Sequence, residues 1–426
     1  MNKARVLISV NGSVPIANNE FFDVSIYSAI DYPLPELTFK VKDEHGHHLA
    51  GLDIFPGARV DVIIQDYDDP TDNIQFTNFS VTEIYDGTEF KNTHLGGFVQ
   101  VWARQSWEFY GDWTSHAYPP MKLSELIKRV CVGANSLAGI KVIESNFKKS
   151  SDAGNMPRYK ENMNEIDFIK QRCLPYLNVD ESCGFFYVDF YGYAHVSSFK
   201  EMYSKEETVL IRQMGQLGNN YKDYEETLKK GKSIKSQYMF SDINVRVGNR
   251  NIKDCLADLK QECFFENDQT GKFAQARSVP KLKIKSSIND TIKDRIPINT
   301  IKTANIDYLS SKSFGWHNLN DGLSMSNNHE LALVDFIGVN VTFANFPQDI
   351  KIGETLYLIT PKYEYGTSSK THWLMGKWVV AGMNVGVQYD EGTQMVSTEV
   401  NLISPTLDVN AKTTSIENPK DFFKVV

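Results

Sequence analysis

The same succession of apolar and polar positions occurs twice in this chain, once near each end. In each part an Ile stands three residues before a Gly, and apolar residues follow three and five positions after that Gly. A Gly ahead of a strand often supplies a positive φ angle or permits a close backbone approach. The pattern predicts two equivalent β-units, although chance likeness between short strands is the alternative. The equivalent positions are Gly57, Val60 and Val62 in the first unit and Gly353, Leu356 and Leu358 in the second.

Each unit continues through a second β-rich run and ends on a strand of strict alternation. The second runs are Phe79–Ile84 and Trp378–Met383, and the closing strands are Phe98–Ala103 and Ser397–Leu402. Period-two alternation places one face of a strand on a core. Both ends of the chain are therefore predicted to be antiparallel β-structure.

Between the two units the apolar period changes to that of a helix. Leu123, Leu126, Ile127 and Val130 form one helical stripe. A second helix is predicted with Asn162 as its cap, Glu165 three residues on, and Pro175 at its end. Its buried face consists of Ile166, Ile169, Cys173 and Leu174. An aromatic β-hairpin over Phe185–Val196 follows.

Composition indicates a multidomain globular protein without a basic surface. A chain of 426 residues predicts two to four domains. Lys and Arg number 45 against 53 Asp and Glu, giving a net charge of -8, which argues against nucleic-acid binding as the main activity. The N-terminus resembles a strand more than a secretory signal, and no apolar run reaches the about 18 residues of a membrane span. Five widely spaced cysteines indicate reduced thiols.

Residue clusters that could carry chemistry lack the context that chemistry needs. Gly231–Ser233 resembles the end of a phosphate loop, but Glu226 stands where the loop needs Gly. His45, His47 and His48 surround a Gly in a predicted turn, where solvated imidazoles are commoner than a metal site. Glu165 and Asp167 are two residues apart and point to different helix faces. We therefore expect no catalytic, metal or cofactor site.

Three parts of the chain are similar to the hub protein of contractile-tailed phage baseplates and related injection machines. The first is Leu37–Val41 followed by residues 54–65. The second comprises Leu123–Val132, Arg158–Ile169 and Phe185–Val196, and the third runs from Glu330 to Leu358. The resemblance covers about two thirds of the chain by pattern, and residues 219–328 contribute nothing to it.

This resemblance implies a mainly β fold with α+β portions: two tail-tube-like antiparallel β-barrels with an intervening mixed α/β domain. The expected units are a first barrel over 1–118, a mixed domain over 119–205, its continuation over 206–328 and a second barrel over 329–407. Residues 408–426 are expected to form an extended arm that is anchored through an interface at Phe422 and Phe423.

The family's role implies a homotrimer that joins a sixfold tail tube to a threefold, cell-puncturing spike. Its expected partners are the spike, tail-tube proteins and DNA that passes without specific binding, with no membrane insertion. The expected location is the baseplate of a virion tail, assembled in the host cytoplasm. One alternative is the hub of a type VI secretion or extracellular contractile injection system. Another is a carbohydrate-binding or glycan-degrading β-module that uses Trp107, Trp113, Trp316 and Trp373.

Overall fold

Strands dominate the computed structural model. It describes residues 3–13, 21–42, 51, 53–86, 98–105, 114–119, 121, 125–131, 140–142, 158–174, 184–214, 234–247, 261–266, 273–278, 299–303, 337–359, 363–365, 368–370, 374, 376–390 and 393–404. In the described part no helix is long and apolar enough to cross a membrane.

The strands of the first half are β1 (Lys3–Val10), β2 (Phe21–Ala29), β3 (Tyr32–Lys42), β4 (Arg59–Asp66), β5 (Asn73–Asp86), β6 (Phe98–Gln105), β7 (Thr114–Tyr118), β8 (Lys141–Val142), β9 (Arg158–Met163), β10 (Gly184–Val188), β11 (Tyr193–Ser198) and β12 (Val209–Gln213). Those of the second half are β13 (Ser236–Phe240), β14 (Asp242–Val247), β15 (Gln261–Glu266), β16 (Phe273–Ser278), β17 (Asn299–Thr303), β18 (Ile337–Phe343), β19 (Thr355–Ile359), β20 (Tyr363–Tyr365), β21 (Ser368–Lys370), β22 (Gly376–Asp390) and β23 (Thr393–Ser404). Helix α1 spans residues 125–131, α2 begins as Glu165–Asp167 and continues with π-helical turns over Phe168–Cys173, and α3 spans Phe199–Ser204.

Eight strands close into a first barrel, which we call ring 1. Its hydrogen-bonded order is β22, β2, β3, β6, β5, β4, β1 and β23, and β23 pairs back to β22. Every one of these pairings is antiparallel. Strand β6 shows the alternation that the sequence predicts, since Val99, Val101 and Ala103 are buried inside and the residues between them face outward.

A second barrel, ring 2, uses the other ends of the same two long strands. Strand β22 pairs with β19 and β23 pairs with β18, while β12 lies between β19 and β13, and β14 pairs with β18. Strands β13 and β14 are one bent segment, and at its bend the Ser241 N–H donates to the Thr342 carbonyl at 2.7 Å. The predicted fold class of two β-barrels with a mixed part is confirmed. One detail differs, because β12 pairs in parallel with both of its neighbours.

The hairpin of β22 and β23 therefore belongs to both rings. Its tip end pairs with β2 and β1, and its base pairs with β19 and β18. One continuous hydrophobic cluster contains Val6 and Phe39 of ring 1 as well as Leu358 and Val400. Although residues 1–118 supply six strands of ring 1, the other two come from residues 376–404. The predicted unit boundaries stay predictions.

The mixed region has its own core, built on the helices that the sequence predicts. Leu126, Ile127 and Val130 of α1 pack with the predicted buried face of α2. The α2 cap is Asn164 and not Asn162: the Asn164 side chain accepts from the Asp167 N–H at 2.7 Å, while Asn162 is exposed with a φ of 35°. The predicted hairpin is present as β10 and β11.

Candidate assembly interface

The two predicted glycine turns have the same hydrogen bonding in the two rings. Gly57 has a φ of 95° and Gly353 a φ of 76°. The Gly57 N–H donates to the Val81 carbonyl at 2.8 Å, and the Gly353 N–H donates to the Val380 carbonyl at 2.9 Å. In return the Val81 N–H donates to Ala58 at 2.8 Å, and the Val380 N–H donates to Glu354 at 2.9 Å. Each turn therefore fastens the start of one strand to its neighbour.

The remaining predicted equivalent positions lie inside the barrels and not on an interface. Val60 and Val62 are 0% exposed, and Leu356 and Leu358 are 1% and 0% exposed, all in the cluster that spans both rings. In β4 these residues alternate with more exposed ones, whereas Tyr357 and Ile359 of β19 are buried on the opposite face in a separate cluster with Leu210. A superposition of the two units on these residues stays a prediction.

The Gly353 turn is covered by the mixed region. A side chain at Gly353 would overlap the Tyr187 hydroxyl, which itself donates to the Ile352 carbonyl at 3.1 Å. The Lys205 ammonium donates to the Gly353 carbonyl at 3.1 Å, just after helix α3. Burial, followed by the nearby charge of Asp189, raises the pKa of Tyr187, so this phenol stays a neutral donor. Glycine is required here for space as well as for its φ angle.

The matching Gly57 turn is bare. A Cβ added at Gly57 would meet no atom of the described part of the chain within 4 Å, and Phe55, two residues earlier, is 52% exposed. Phe55 and Lys351 each stand two residues before their glycine and are both exposed. Two turns with the same backbone hydrogen bonds therefore have different surroundings.

The β10–β11 hairpin connects the mixed region to both rings. Strand β10 is buried along its whole length. Its Phe185 and Tyr187 belong to the barrel cluster, whereas Phe186 and Val188 belong to the core of the mixed region. On the ring 1 side, the Gln105 amide donates to the Phe190 carbonyl at 3.3 Å. These contacts hold the rings and the mixed region together.

A His–Asp pair stabilises the turn of this hairpin. His195 Nε2 lies 2.9 Å from Asp189 Oδ2, and the His195 ring stacks on Tyr187 with centroids 4.9 Å apart. Asp189 Oδ1 also accepts from the Tyr191 and Tyr193 backbone N–H groups at 2.9 and 3.0 Å. Both carboxylate oxygens of Asp189 therefore have hydrogen-bond partners within the hairpin.

The carboxylates considered for catalysis are engaged in helix α2. Glu165 accepts from the Lys160 ammonium at 2.5 Å, and the Lys160 side chain is fully buried. Asp167 accepts from the Asn164 side chain at 2.8 Å. The sequence did not indicate Lys160 as the partner of Glu165, because Lys160 lies on strand β9, outside the helical period. Over the described ranges, no group of three or more His, Cys, Asp and Glu residues could hold a metal ion.

Several predicted residues lie outside the described part of the chain. They are the histidines His45, His47 and His48, the tryptophans Trp107, Trp113, Trp316 and Trp373, and the interface residues Phe422 and Phe423.

An aromatic face on the outside of ring 1 was not predicted. Phe22 and Phe98 meet edge to face with centroids 6.2 Å apart. The Lys40 ammonium lies 5.9 and 5.6 Å from their ring centres and pairs with Asp23 at 2.7 Å. Aromatic residues are enriched at protein interfaces, so this half-buried face belongs among the candidate contact surfaces.

The fold is similar to that of two solved tail proteins. The 43 kDa tail protein of prophage MuSo2 from Shewanella oneidensis matches with a TM-score of 0.52 and 12% identity, over 94% of this chain and 98% of that one. The tail protein from Neisseria meningitidis MC58 matches with a TM-score of 0.51 and 10% identity, over 95% of this chain and 99% of that one. A chain of a Francisella PdpA–VgrG complex matches with a TM-score of 0.47 and 10% identity, over 95% of this chain and 58% of that one.

No protein-family model matches the chain, and no curated protein matches it. The fold of the two tail proteins nevertheless extends over nearly the whole of each chain. The resemblance to baseplate hub proteins that the sequence indicated is thereby confirmed at the level of the fold.

Proposed function

We propose that this protein is the structural hub of a phage tail baseplate. It acts as a homotrimer that joins a sixfold tail tube to a threefold, cell-puncturing spike and surrounds part of the DNA channel. The observation that carries the proposal is the pair of barrels in one chain, fastened by matching glycine turns. The likeness of nearly the whole chain to two tail proteins, one of them from a prophage, supports it.

The pair of barrels suits a symmetry adapter. Three copies of a chain with two rings carry six rings, so one face of the trimer can meet a sixfold tube while the whole keeps threefold symmetry. Such a role needs the two rings at a constant spacing. The shared β22–β23 hairpin and the continuous core provide this, since neither ring can shift without breaking strand pairing in the other.

In this role the protein carries out no chemistry and does not hold DNA. A net charge of -8 suits a channel for DNA, because nucleic-acid affinity arises mainly from Lys and Arg contacts to phosphates. We expect no hydrolysis of peptidoglycan or nucleotides. Turnover that disappears on changing Glu165 or Asp167 would show the assignment to be wrong.

Light scattering and electron microscopy of the full chain test the proposal. We expect a mass three times that of one chain and rotational averages with threefold symmetry and six outer densities. Added tail-tube protein of the same phage should polymerise from the trimer. Polymerisation only of a tube from a type VI or extracellular injection system would support that alternative instead. A monomer at every concentration would contradict the adapter role.

A further inference from the structure

A polar cleft of about 240 Å³ lies where ring 1 meets the mixed region. One wall comes from strands β4 and β5, whose pairing register shifts between Val60 and Val62 and leaves a β-bulge. The other wall is the Tyr191–Gly192 turn of the β10–β11 hairpin together with Lys141 of β8, whose N–H donates to the Gly192 carbonyl at 2.7 Å. Bulges occur often beside functional sites, where they redirect a side chain. Segments that are distant in sequence therefore form one concave surface.

The bulge wall of the cleft carries charged groups that are held by hydrogen bonds. Asn78 has a φ of 72°, and its N–H donates to Asp61 Oδ1 at 2.7 Å. Arg59 Nη1 donates to Asn78 Oδ1 at 2.6 Å. These bonds position a carboxylate and a guanidinium before a ligand arrives. Groups that are already ordered lose less conformational entropy when a ligand binds, so this wall is prepared for binding.

Gln105 at the end of β6 adds a buried amide to the lining of the cleft. Its Nε2 donates to the Thr77 carbonyl at 2.8 Å and to the Phe190 carbonyl at 3.3 Å, which fixes the orientation of the amide. Its Oε1 has no hydrogen-bond partner in the described part of the chain, although the residue is only 2% exposed. Buried polar atoms nearly always have a partner, so this oxygen favours a ligand that donates a hydrogen bond.

The hairpin wall of the cleft adds an aromatic ring and an ammonium group. Tyr191 is 40% exposed. Burial, followed by the nearby charge of Asp189, raises the pKa of Tyr191, so its phenol stays protonated. Lys141 is exposed, and its ammonium lies 5.1 Å from the centre of the Tyr193 ring. An exposed tyrosine offers a ligand an apolar ring face as well as a polar hydroxyl.

The mixed charges of the cleft disfavour simple ions and apolar ligands. An inorganic anion would place negative charge beside Asp61 and the acceptor of Gln105, and a metal cation would meet the positive charges of Arg59 and Lys141. An apolar molecule would leave the polar groups without partners. A hydroxyl group both donates and accepts hydrogen bonds. A neutral molecule with several hydroxyl groups therefore satisfies both kinds of group in the lining.

We propose that this cleft binds one sugar ring of a glycan. Asp61 and Gln105 accept hydrogen bonds from the sugar hydroxyls. Arg59 and Lys141 donate to the hydroxyl oxygens, and Tyr191 packs on the C–H face of the ring. The volume of about 240 Å³ is below the about 300 Å³ at which pockets for drug-sized ligands begin, which suits a single ring. The site lies within one chain, so it goes beyond the proposed function and does not depend on trimer formation.

Saturation-transfer NMR of the full chain tests the site with the methyl glycosides of glucose, galactose, mannose and N-acetylglucosamine. We expect saturation of at least one of these sugars. Asp61→Asn should weaken its binding about tenfold, because a charged acceptor becomes a neutral one while an oxygen remains for the Asn78 N–H. Asp68→Asn is the matched control, since Asp68 is exposed in the turn after β4 and does not line the cleft. The control should bind the sugar as the wild type does.

Two substitutions on the hairpin wall test the site independently of the bulge. Tyr191→Ala removes the ring face and Lys141→Met removes the ammonium group, and each should weaken sugar binding about two- to tenfold. Tyr67→Ala and Lys351→Met are the matched controls, because both residues are exposed and lie outside the cleft. Both Tyr191 and Lys141 are exposed, so their variants provide the test even if Asp61→Asn does not fold.

Three results would overturn the sugar site. The first is the absence of saturation for all four sugars. The second is saturation that is unchanged in the folded variants at Asp61, Lys141 and Tyr191, because the sugar would then bind elsewhere. The third is displacement of the sugar by an equal concentration of phosphate or glutamate, which would indicate an anion site. A wild-type protein that binds sugar but stays monomeric would contradict the hub function and support this inference.

Discussion

Gly57 and Gly353 meet the same backbone requirement in different surroundings. Both have positive φ angles, but only Gly353 lies against another side chain, the Tyr187 hydroxyl. The space that a glycine leaves is therefore used in ring 2 for contact with the mixed region.

Alanine substitutions at the two turns should separate the requirement for a positive φ angle from the requirement for space beside Tyr187. Gly57→Ala should lower the free energy of unfolding by about 1 to 2 kcal/mol, the cost of a positive φ with a Cβ. Gly353→Ala should lower it by about 2 to 5 kcal/mol, because overlap with Tyr187 is added. In a Tyr187→Phe background the Gly353 penalty should shrink by about 1 kcal/mol. Urea unfolding measures all four variants, and equal losses at the two glycines would argue against the packing explanation.

Removing one charge of the Lys160–Glu165 ion pair should destabilise the mixed region more than removing both. Lys160→Met should cost about 3 kcal/mol, because it leaves the Glu165 carboxylate, 13% exposed, without its cation. The double variant Lys160→Met with Glu165→Leu should recover most of that loss, since neither charge then remains buried. Thermal unfolding provides the measurement. A double variant less stable than the single one would show that the charges contribute more than they cost.

Among the elements, the β22–β23 hairpin decides how the barrels depend on each other. Val385 of β22 pairs with Ile26 of β2 on one side and with Thr398 of β23 on the other. The same hairpin supplies partners for β19 and β18. Without it, β1 and β2 would expose unpaired edges and ring 1 would open.

The N-terminal fragment 1–118 should therefore not fold by itself. It lacks two of the eight strands of ring 1, so circular dichroism and size-exclusion chromatography should show an unfolded or aggregated chain. Joining residues 374–407 to it through a flexible linker should restore cooperative unfolding. Cooperative unfolding of the fragment alone would instead support the predicted boundary at residue 118.

At the scale of the whole molecule, the rings and the mixed region form one connected framework. Tyr187 contacts the ring 2 turn, and Gln105 of ring 1 donates to Phe190 beside the hairpin. A protein of this build presents fixed outer surfaces, so contacts with partners can come from the chain termini as well as from the barrel sides.

Removal of residues 408–426 tests the predicted arm. Burying two Phe side chains is worth about 3 to 6 kcal/mol before ordering costs, so we propose that Phe422 and Phe423 dock on the spike or on an adjacent subunit. The chain that ends at Leu407 should bind its spike more weakly, as measured by calorimetry. Phe422→Ser with Phe423→Ser in the full chain should reproduce the loss. Unchanged trimer formation and spike affinity would exclude the anchoring role.

Local patterns in the sequence predicted the strands near both ends of the chain, the two helices and the β10–β11 hairpin. Alternation predicted the inward residues of β6 and the buried Val60 and Leu356, because side-chain direction in a strand follows from spacing alone. Helical periodicity likewise predicted the buried face of α2. The cap was misplaced at Asn162 by two residues, since two Asn side chains stand near the helix start and only backbone geometry separates them.

Tertiary structure decided everything that depends on pairing between distant segments. The sharing of β22 and β23 by two rings and the closure of ring 2 by a bent segment both join residues that no local period relates. The Gly353 turn and the Gly57 turn are alike in sequence, and only the position of Tyr187 makes one buried and the other bare. Hydrophobic periodicity states which face of an element is buried, but the fold alone determines what covers it.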